Sequence, residues 1–501
     1  MSQPTSHSHS LEEPQQLFIG GTYQGAKNNA TFPVKNPMTG YDIYQCASAS
    51  LDDYAAAIEG AHLAQPGWAK LGPSARRLIL LKAADIMETY IKSDAPEILS
   101  AEVSATKGWV KANIFSTAGV LRENAALATH IKGEIVPADR PGTTILVERQ
   151  PVGVVLAISP WNMPVTLTAR AICCPLICGN TVLLKPSEFS PKSQHLVVRA
   201  LTEAGLPPGC LQFLPTSPAD TPAAVEFTVK HPKVSRTNFT GSDRVGHIIG
   251  ALSASCLKPC VLELGGKAPV AVLEDADIEA AVEAVAYGAL SNSGQICMST
   301  ERVIVHRSIS AEFKTRLVKR VEALRVGNHL VDPDVQLSGV FTSTSAARLL
   351  NLVKSAVSDG ATLLTGDLTT HGPCQTILVP HILEGVTRDM DLFSKESFGP
   401  ILFISEFDDD ADAILQANDS AFSLCASLFS QDVLRAMDMA KQIRTGSCHV
   451  NGPTVYIEAS LPNGGIGGAS GYGRFGGIAG IEEFTERQIV SLARPGMKYV
   501  F

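Results

Sequence analysis

The chain has 501 residues, enough for two or three domains and a large core, and its 45% hydrophobic and 18% charged content is that of a soluble enzyme. A formal net charge of −8 weighs against a general binder of nucleic acid or anionic membrane. The eleven cysteines, at irregular spacing with no secretory signal ahead of them, read as reduced cytosolic thiols.

The polar residues 1–16, MSQPTSHSHSLEEPQQ, are expected to form a disordered tail in which His7 and His9 are simply solvated. From about 50 to 130 the apolar spacing is helical, in three runs: Ala55 to Ala64, Ala75 to Ile91 and Ile98 to Leu127. Between Gly133 and Gln150 it changes to alternation (Thr144-Ile145-Leu146-Val147-Glu148), which predicts a hairpin leaving the helical body. Strand and helix then take turns: Gly153–Ile158 a strand, Pro164–Leu176 a helix, Asn180–Lys185 a strand. A further helix is capped by Ser190, with Pro191 at its first position, and stops before Gly205. Short strands near Leu211, Arg236 and Val261 complete a mostly parallel sheet covered on both faces. A second α/β run starts near Ala268, with helices opened by Asp275 or Asp277 and by Ser310, and strands at Val303–Val305, Ile401–Phe407 and Ser447–Asn451. The chain closes on an extended tail whose final Tyr499-Val500-Phe501 is no peroxisomal address.

Two stretches invite other readings. Pro151–Leu184 is apolar, but Pro160, Pro164, Pro175 and Gly179-Asn180 cut it into pieces too short to span a membrane. Cys173, Cys174 and Cys178 lack a second ligand pair at zinc-site spacing, so no metal is expected.

Chemistry gathers at strand ends and in one loop. Cys297 lies in Asn292–Thr300, between an Ala-rich helical pattern and a buried strand, where a thiol is held rigidly yet can meet a ligand. Gly241-Ser242-Asp243-Arg244-Val245-Gly246 follows a strand and opens a helix, as backbone N–H groups do when they meet a phosphate. A G-x-G-x-x-G pattern proper occurs at Gly471–Gly476, but no apolar strand precedes it, so it reads as fortuitous. Lys185-Pro186-Ser187-Glu188 ends another strand. Its Lys and Glu suit ribose hydroxyls or an exposed ion pair, and the acid would repel a 2′-phosphate, favouring NAD over NADP. Glu263, in an apolar strand, is either a general base whose pKa burial raises or the partner of a nearby cation. Asn162 either donates to a developing oxyanion or only caps the next helix.

In order along the chain, Pro160-Trp161-Asn162, Lys185-Pro186-Ser187-Glu188, Phe239-Thr240-Gly241-Ser242, Glu263-Leu264-Gly265-Gly266-Lys267, Gly294-Gln295-Ile296-Cys297, Glu396-Ser397-Phe398-Gly399-Pro400 and Ser470-Gly471-Tyr472-Gly473-Arg474 resemble the aldehyde dehydrogenase superfamily. The resemblance implies an α/β fold with a Rossmann-like NAD-binding domain (17–129 and 151–262), an α/β catalytic domain (263–477) and a β oligomerisation arm (130–150 and 478–501), in a homodimer or homotetramer. It implies NAD, with NADP as an alternative, and no metal. Cys297 would attack the aldehyde, Asn162 and the Cys297 backbone N–H would hold the oxyanion, and Glu263 would activate the water that releases a carboxylic acid. Lys185 and Glu188 would hold the adenosine ribose, Ser242 the pyrophosphate and Glu396 the nicotinamide ribose, with Phe398 packing nearby; Trp161, Ser187, Gly241 and Val245 are further expected cofactor contacts.

Ile296–Arg302 with Asn451-Gly452-Pro453-Thr454 looks most like the aromatic-aldehyde members, of salicylaldehyde or vanillin type. Met163, Leu167 and Arg170 share one helix face and, with Tyr456 and Asn463, are expected to line the substrate pocket. Arg170 there serves a hydroxyl or carboxylate on the ring, or pairs with a structural acid. Where the relatives carry Pro-Phe-Gly-Gly, this chain has Pro462-Asn463-Gly464-Gly465 and a loop one residue longer, which leaves room for an aliphatic or polyketide-derived aldehyde of specialised metabolism. A Cys297-Glu263-Lys267 amidase or nitrilase, or a non-catalytic relative, would leave the nucleotide-binding stretches unexplained.

Overall fold

The computed structural model describes residues 11–497; the expected tail before Leu11, with His7 and His9, and the final residues 498–501 lie outside them. Order begins earlier than expected, since the Gln15 backbone already pairs with Gln45 and Ala47.

Five parallel strands form the centre of an eight-stranded sheet, in the spatial order Cys260–Glu263, Val234–Thr240, Val154–Ile158, Thr181–Lys185, Leu211–Phe213. Val154–Ile158 and Thr181–Lys185 are buried at every position, because helices cover both faces and a βαβ crossover leaves no solvent side. Numbered in chain order, these five strands lie across the sheet as 5-4-1-2-3. The reversal therefore falls between Ile158 and Thr240, and a crevice opens there at the strands' carboxyl ends. Helices Pro164–Ile177 and Asp243–Ser255 leave from the two sides of that crevice.

A seven-stranded sheet, parallel except for its first pair, has Ala268–Val272 and Thr300–His306 at its middle. The third sheet, antiparallel, joins Thr485–Ala493, Thr143–Pro151 and Glu134–Val136, so the predicted hairpin exists and the C-terminal segment extends it. Ile135 and Ile489 stand out from it, each more than two-thirds exposed. Among the described residues no helix is long and apolar enough to cross a membrane, and Cys173, Cys174 and Cys178 are buried among apolar neighbours of the first sheet.

Three local expectations are corrected. The run Ile98–Leu127 is two helices, Ala95–Val103 and Lys107–Ala126, because Ser104 adopts a left-handed φ of 54° and Thr106 caps the second. The helix expected from Ser310 starts at Arg307, with the His306 ring as its cap; Ser310 lies buried within it, donating to Glu406. Asn162 caps no helix: the cap position is Met163, and the Asn162 amide is engaged elsewhere.

Candidate active site

Cys297 follows an unusual turn. Asn292, Ser293 and Gly294 are consecutively left-handed (φ 51°, 54° and 73°), a conformation that persists only when its surroundings hold it. Ser293 Oγ donates to the Ser338 carbonyl at 2.7 Å, and Gln295 Nε2 donates to the Asn292 carbonyl at 3.0 Å. Gly294 admits no side chain, since a Cβ would lie 2.1 Å from the Gly399 carbonyl. The turn delivers a half-buried Cys297 to the wall of a cavity of about 320 Å³.

Two helices build most of that wall. Thr166, Leu167 and Arg170 come from one face of Pro164–Ile177 and Met163 from its cap; Ser116, Val120, Glu123 and Asn124 come from one face of Lys107–Ala126. Ile296 and Met298 flank the thiol, and Ile457, Glu458 and Asn463 close one side. Met163, Leu167, Arg170 and Asn463 line this cavity. Tyr456 does not: it is half exposed and donates to Glu458, while its neighbour Ile457 faces the cavity. The face of Lys107–Ala126 was missed. Its signal was present, in polar Ser116, Glu123 and Asn124 at helical spacing within a run otherwise read as core.

Arg170 is not a free cation. Its Nη1 donates to Glu263 Oε1 at 3.0 Å, its Nη2 lies 2.5 Å from Oε2, and its guanidinium sits 5.0 Å over the Phe475 ring. Both partners are nearly excluded from solvent and both line the cavity. Asn162, also buried, donates from Nδ2 to the Gln295 carbonyl at 3.0 Å, and its own carbonyl accepts from Trp109 and Asn292. That leaves the second hydrogen of its amide for a ligand beside Cys297. Burial pushes the Cys297 thiol well above its ordinary range, with the Glu263 carboxylate adding to the shift and Arg170 opposing it. Lys267, which an amidase triad would need in the cavity, is buried outside it and paired with Glu301 at 2.5 Å.

Asn162, just beyond strand Val154–Ile158, and Glu263, the last residue of strand Cys260–Glu263, both line this cavity. Gly241 and the exposed Ser242 open helix Asp243–Ser255, with Ser242 Oγ accepting from Val245 N; a Cβ on Gly241 would enter the Phe239 ring. Lys185, buried at the neighbouring strand's end, lies 3.8 Å from Glu188, and Ser187 N donates to Gln194. On the opposite side Glu396 accepts from Gly266 N at 2.8 Å, and the Phe398 ring meets Trp161 edge-on at 5.8 Å. Burial, then Glu301, pushes the Glu396 carboxyl up to about 8. A topological switch point with a helix N-terminus, a strand-end Lys/Glu pair and a facing carboxylate has the donors and acceptors a dinucleotide requires.

The aldehyde dehydrogenase family profile matches residues 23–490. A vanillin dehydrogenase of Pseudomonas sp. (strain HR199 / DSM 7063) is 46% identical over 470 residues, which cover 94% of this chain and 96% of that one. The crystal structure of a salicylaldehyde dehydrogenase from Pseudomonas putida G7, complexed with salicylaldehyde, superposes with a TM-score of 0.93 at 40% identity, covering 97% of this chain and all of the other. PnpE in complex with nicotinamide adenine dinucleotide gives a TM-score of 0.92 at 31% identity, over 97% and 98% of the two chains.

Proposed function

We propose, for a chain that belongs to the aldehyde dehydrogenase family and oxidises aldehydes with NAD(P), that the substrate is a hydroxybenzaldehyde-like aromatic aldehyde. The observation that carries this reading is the cavity beside Cys297. It has room for one substituted ring, its inner wall is largely apolar, and its one arginine is neutralised by Glu263. The charges left in that wall are the carboxylates Glu123 and Glu458, which disfavour a ring carboxylate and accept from a ring hydroxyl. The similar vanillin and salicylaldehyde dehydrogenases point the same way.

In the proposed reaction the Cys297 thiolate attacks the aldehyde carbon, forming a C–S bond and moving the carbonyl π pair onto oxygen. The Asn162 amide and the Cys297 N–H donate to that oxyanion. Held by the residues named below, NAD would supply the hydride acceptor that lets the C=O bond re-form as a thioester on Cys297. Glu263 then takes a proton from water as the water's oxygen attacks the Cys297 thioester; the C–S bond breaks, releasing the acid and the Cys297 thiolate, and Glu263 passes its proton to solvent. Lys185, Ser187 and Glu188 are assigned to the adenosine ribose, Gly241, Ser242 and Val245 to the pyrophosphate, and Trp161, Glu396 and Phe398 to the nicotinamide end. On this reading residues 17–129 and 151–262 bind NAD, 263–477 carry the catalytic domain, and 130–150 with 478–501 form the oligomerisation arm. Ile135 and Ile489 on the third sheet support a homodimer or homotetramer. The eleven cysteines, none in a disulfide, support a cytoplasmic protein.

The test is kcat/KM over hydroxylated and carboxylated benzaldehydes and long aliphatic aldehydes, with NAD and NADP. Hydroxybenzaldehydes with NAD are expected to lead. Absence of turnover with every benzaldehyde would sink the aromatic assignment.

A further inference from the structure

We propose that Glu301, anchored by Lys267, is a positioning residue for the cofactor: it fixes the Glu396–Phe398 turn so that both side chains face the nicotinamide end of NAD. The inference rests on the cofactor role proposed above for Glu396 and Phe398.

Glu301 enters the seven-stranded sheet four residues after Cys297, and it is 3% exposed. Its carboxylate accepts nearly everything the turn can donate. Ser397 N lies 3.0 and 2.9 Å from its two oxygens, Ser397 Oγ 2.5 Å from Oε2, and Phe398 N 3.2 Å from Oε1. Lys267 Nζ, 2% exposed, lies 2.5 Å from Oε2 and 3.3 Å from Ser397 Oγ. Arg348 donates to the Ser397 carbonyl from the other side.

Two features show what this bracing does. Phe398 has φ 55°, a left-handed conformation that a bulky L-residue leaves unless several contacts oppose it. The N–H groups of residues 397 and 398, both directed at one carboxylate, supply that opposition. Glu396, at the head of the turn, is fixed from the same segment that carries Lys267: Gly266 N donates to it, and its carboxylate fills the place where a Cβ on Gly265 would stand, 2.5 Å away. Residues 265–267 thus grip both ends of the turn. A buried ion pair gives little net stability over an apolar pair of the same volume, so the consequence of this one is geometric. Neither Lys267 nor Glu301 lines the aldehyde cavity, so the effect falls on the cofactor side.

The experiment compares NAD binding and steady-state kinetics of the full-length enzyme and its Glu301→Gln variant. The dissociation constant is read from quenching of tryptophan fluorescence without aldehyde. Loss of a charge-assisted brace is expected to raise both the NAD dissociation constant and the NAD KM by about tenfold. The aldehyde KM stays within twofold, a split that general loosening of the fold would not produce. Ser397→Ala removes the Oγ bonds to Glu301 and Lys267 and leaves the ion pair and the two backbone donors intact, so it covers the case in which Glu301→Gln does not fold; a smaller rise in the same direction is expected. NAD binding unmoved in both variants, or an aldehyde KM rising in step with the NAD KM, overturns the brace. Glu396→Gln separates the two levels. If it weakens NAD while Glu301→Gln and Ser397→Ala do not, only the brace falls; if it leaves NAD binding unchanged, the cofactor reading of the turn falls and takes the brace with it.

Discussion

Gly266→Ala isolates how much of the activity depends on where the Cys297 loop sits. No left-handed φ is involved at this glycine, so alanine is allowed by the backbone and the effect is one of space. Its Cβ would stand 2.2 Å from the Cys297 carbonyl oxygen and 3.8 Å from Leu424 Cβ. An ordinary contact begins at 3.4 Å, so the carbonyl, and the thiol on the same residue, must retreat by roughly 1 Å. The fold can absorb such overpacking at a cost of about 1–3 kcal/mol. Catalysis cannot, because a misplacement of about 1 Å at the reacting atoms costs on the order of 10²-fold. The assay is kcat/KM with a hydroxybenzaldehyde, alongside circular dichroism, a melting curve and the NAD dissociation constant. Gly60→Ala is the matched control: in helix Leu51–Lys70 its Cβ would meet nothing closer than Gln212 Nε2 at 3.5 Å, so a stabilisation of about 0.5–1 kcal/mol with unchanged kinetics is expected. A Gly266→Ala enzyme that keeps its kcat/KM within a few-fold while folded would refute the claim that the loop is seated on that glycine.

Cys297→Ala is expected to abolish aldehyde oxidation while NAD still binds; near-normal turnover would refute the assigned nucleophile. Glu263→Gln should give a burst of NADH followed by slow turnover, since the thioester forms but its hydrolysis loses the base. The same variant removes a charge that raises the Cys297 thiol, so alkylation by iodoacetamide at fixed pH should quicken by about tenfold; a slower reaction would contradict the electrostatic account. Glu396, with its carboxyl raised to about 8, gains its full acceptor capacity only above that pH, so NAD affinity should strengthen as pH rises through about 8 and lose that step in Glu396→Gln. The sign for stability is opposite. Between its ordinary value of 4.5 and about 8 the folded carboxyl binds a proton that the unfolded one does not, so this contribution is full below 4.5 and is lost as pH rises to 8. Melting curves of the wild type and Glu396→Gln across pH 5–9 should therefore separate toward high pH, the wild type losing stability relative to the variant.

The Cys297 loop and the strand ends were legible because each is a local pattern: buried runs that stop at Trp161, Lys185, Gly241 and Glu263, and a Gly-bearing turn ahead of Cys297. What escaped was pairing across sequence distance. Arg170 and Glu263 are 93 residues apart, and helical spacing placed Arg170 on the cavity face without showing that a carboxylate from the neighbouring sheet reaches it first. Periodicity likewise showed that Lys107–Ala126 has a buried face, but a buried face and a cavity wall carry the same pattern. Tyr456 failed for a different reason. In an irregular segment no period fixes which of two neighbours points inward, and Ile457 does. Ser104 is the local exception: a helix break at a left-handed serine, where no glycine or proline announces it.

The strands Cys260–Glu263 and Ala268–Val272 belong to different sheets, so residues 264–267 are the crossing between them. Each position in and beside this crossing meets a different part of the site. Glu263 meets Arg170, Gly265 adjoins the Glu396 carboxylate, Gly266 adjoins the Cys297 carbonyl, and Lys267 meets Glu301. The two glycines serve because both approaches, at 2.5 and 2.2 Å from an added Cβ, exclude any side chain, while the flanking ionised residues lock the crossing at either end. The proposed base, nucleophile and nicotinamide-side carboxylate are therefore referenced to one stretch of four or five residues, not to two sheets that could move independently. A substitution in this crossing should thus alter thiol reactivity and NAD binding together, whereas one on the helix face of Met163 or Val120 should alter aldehyde selectivity alone.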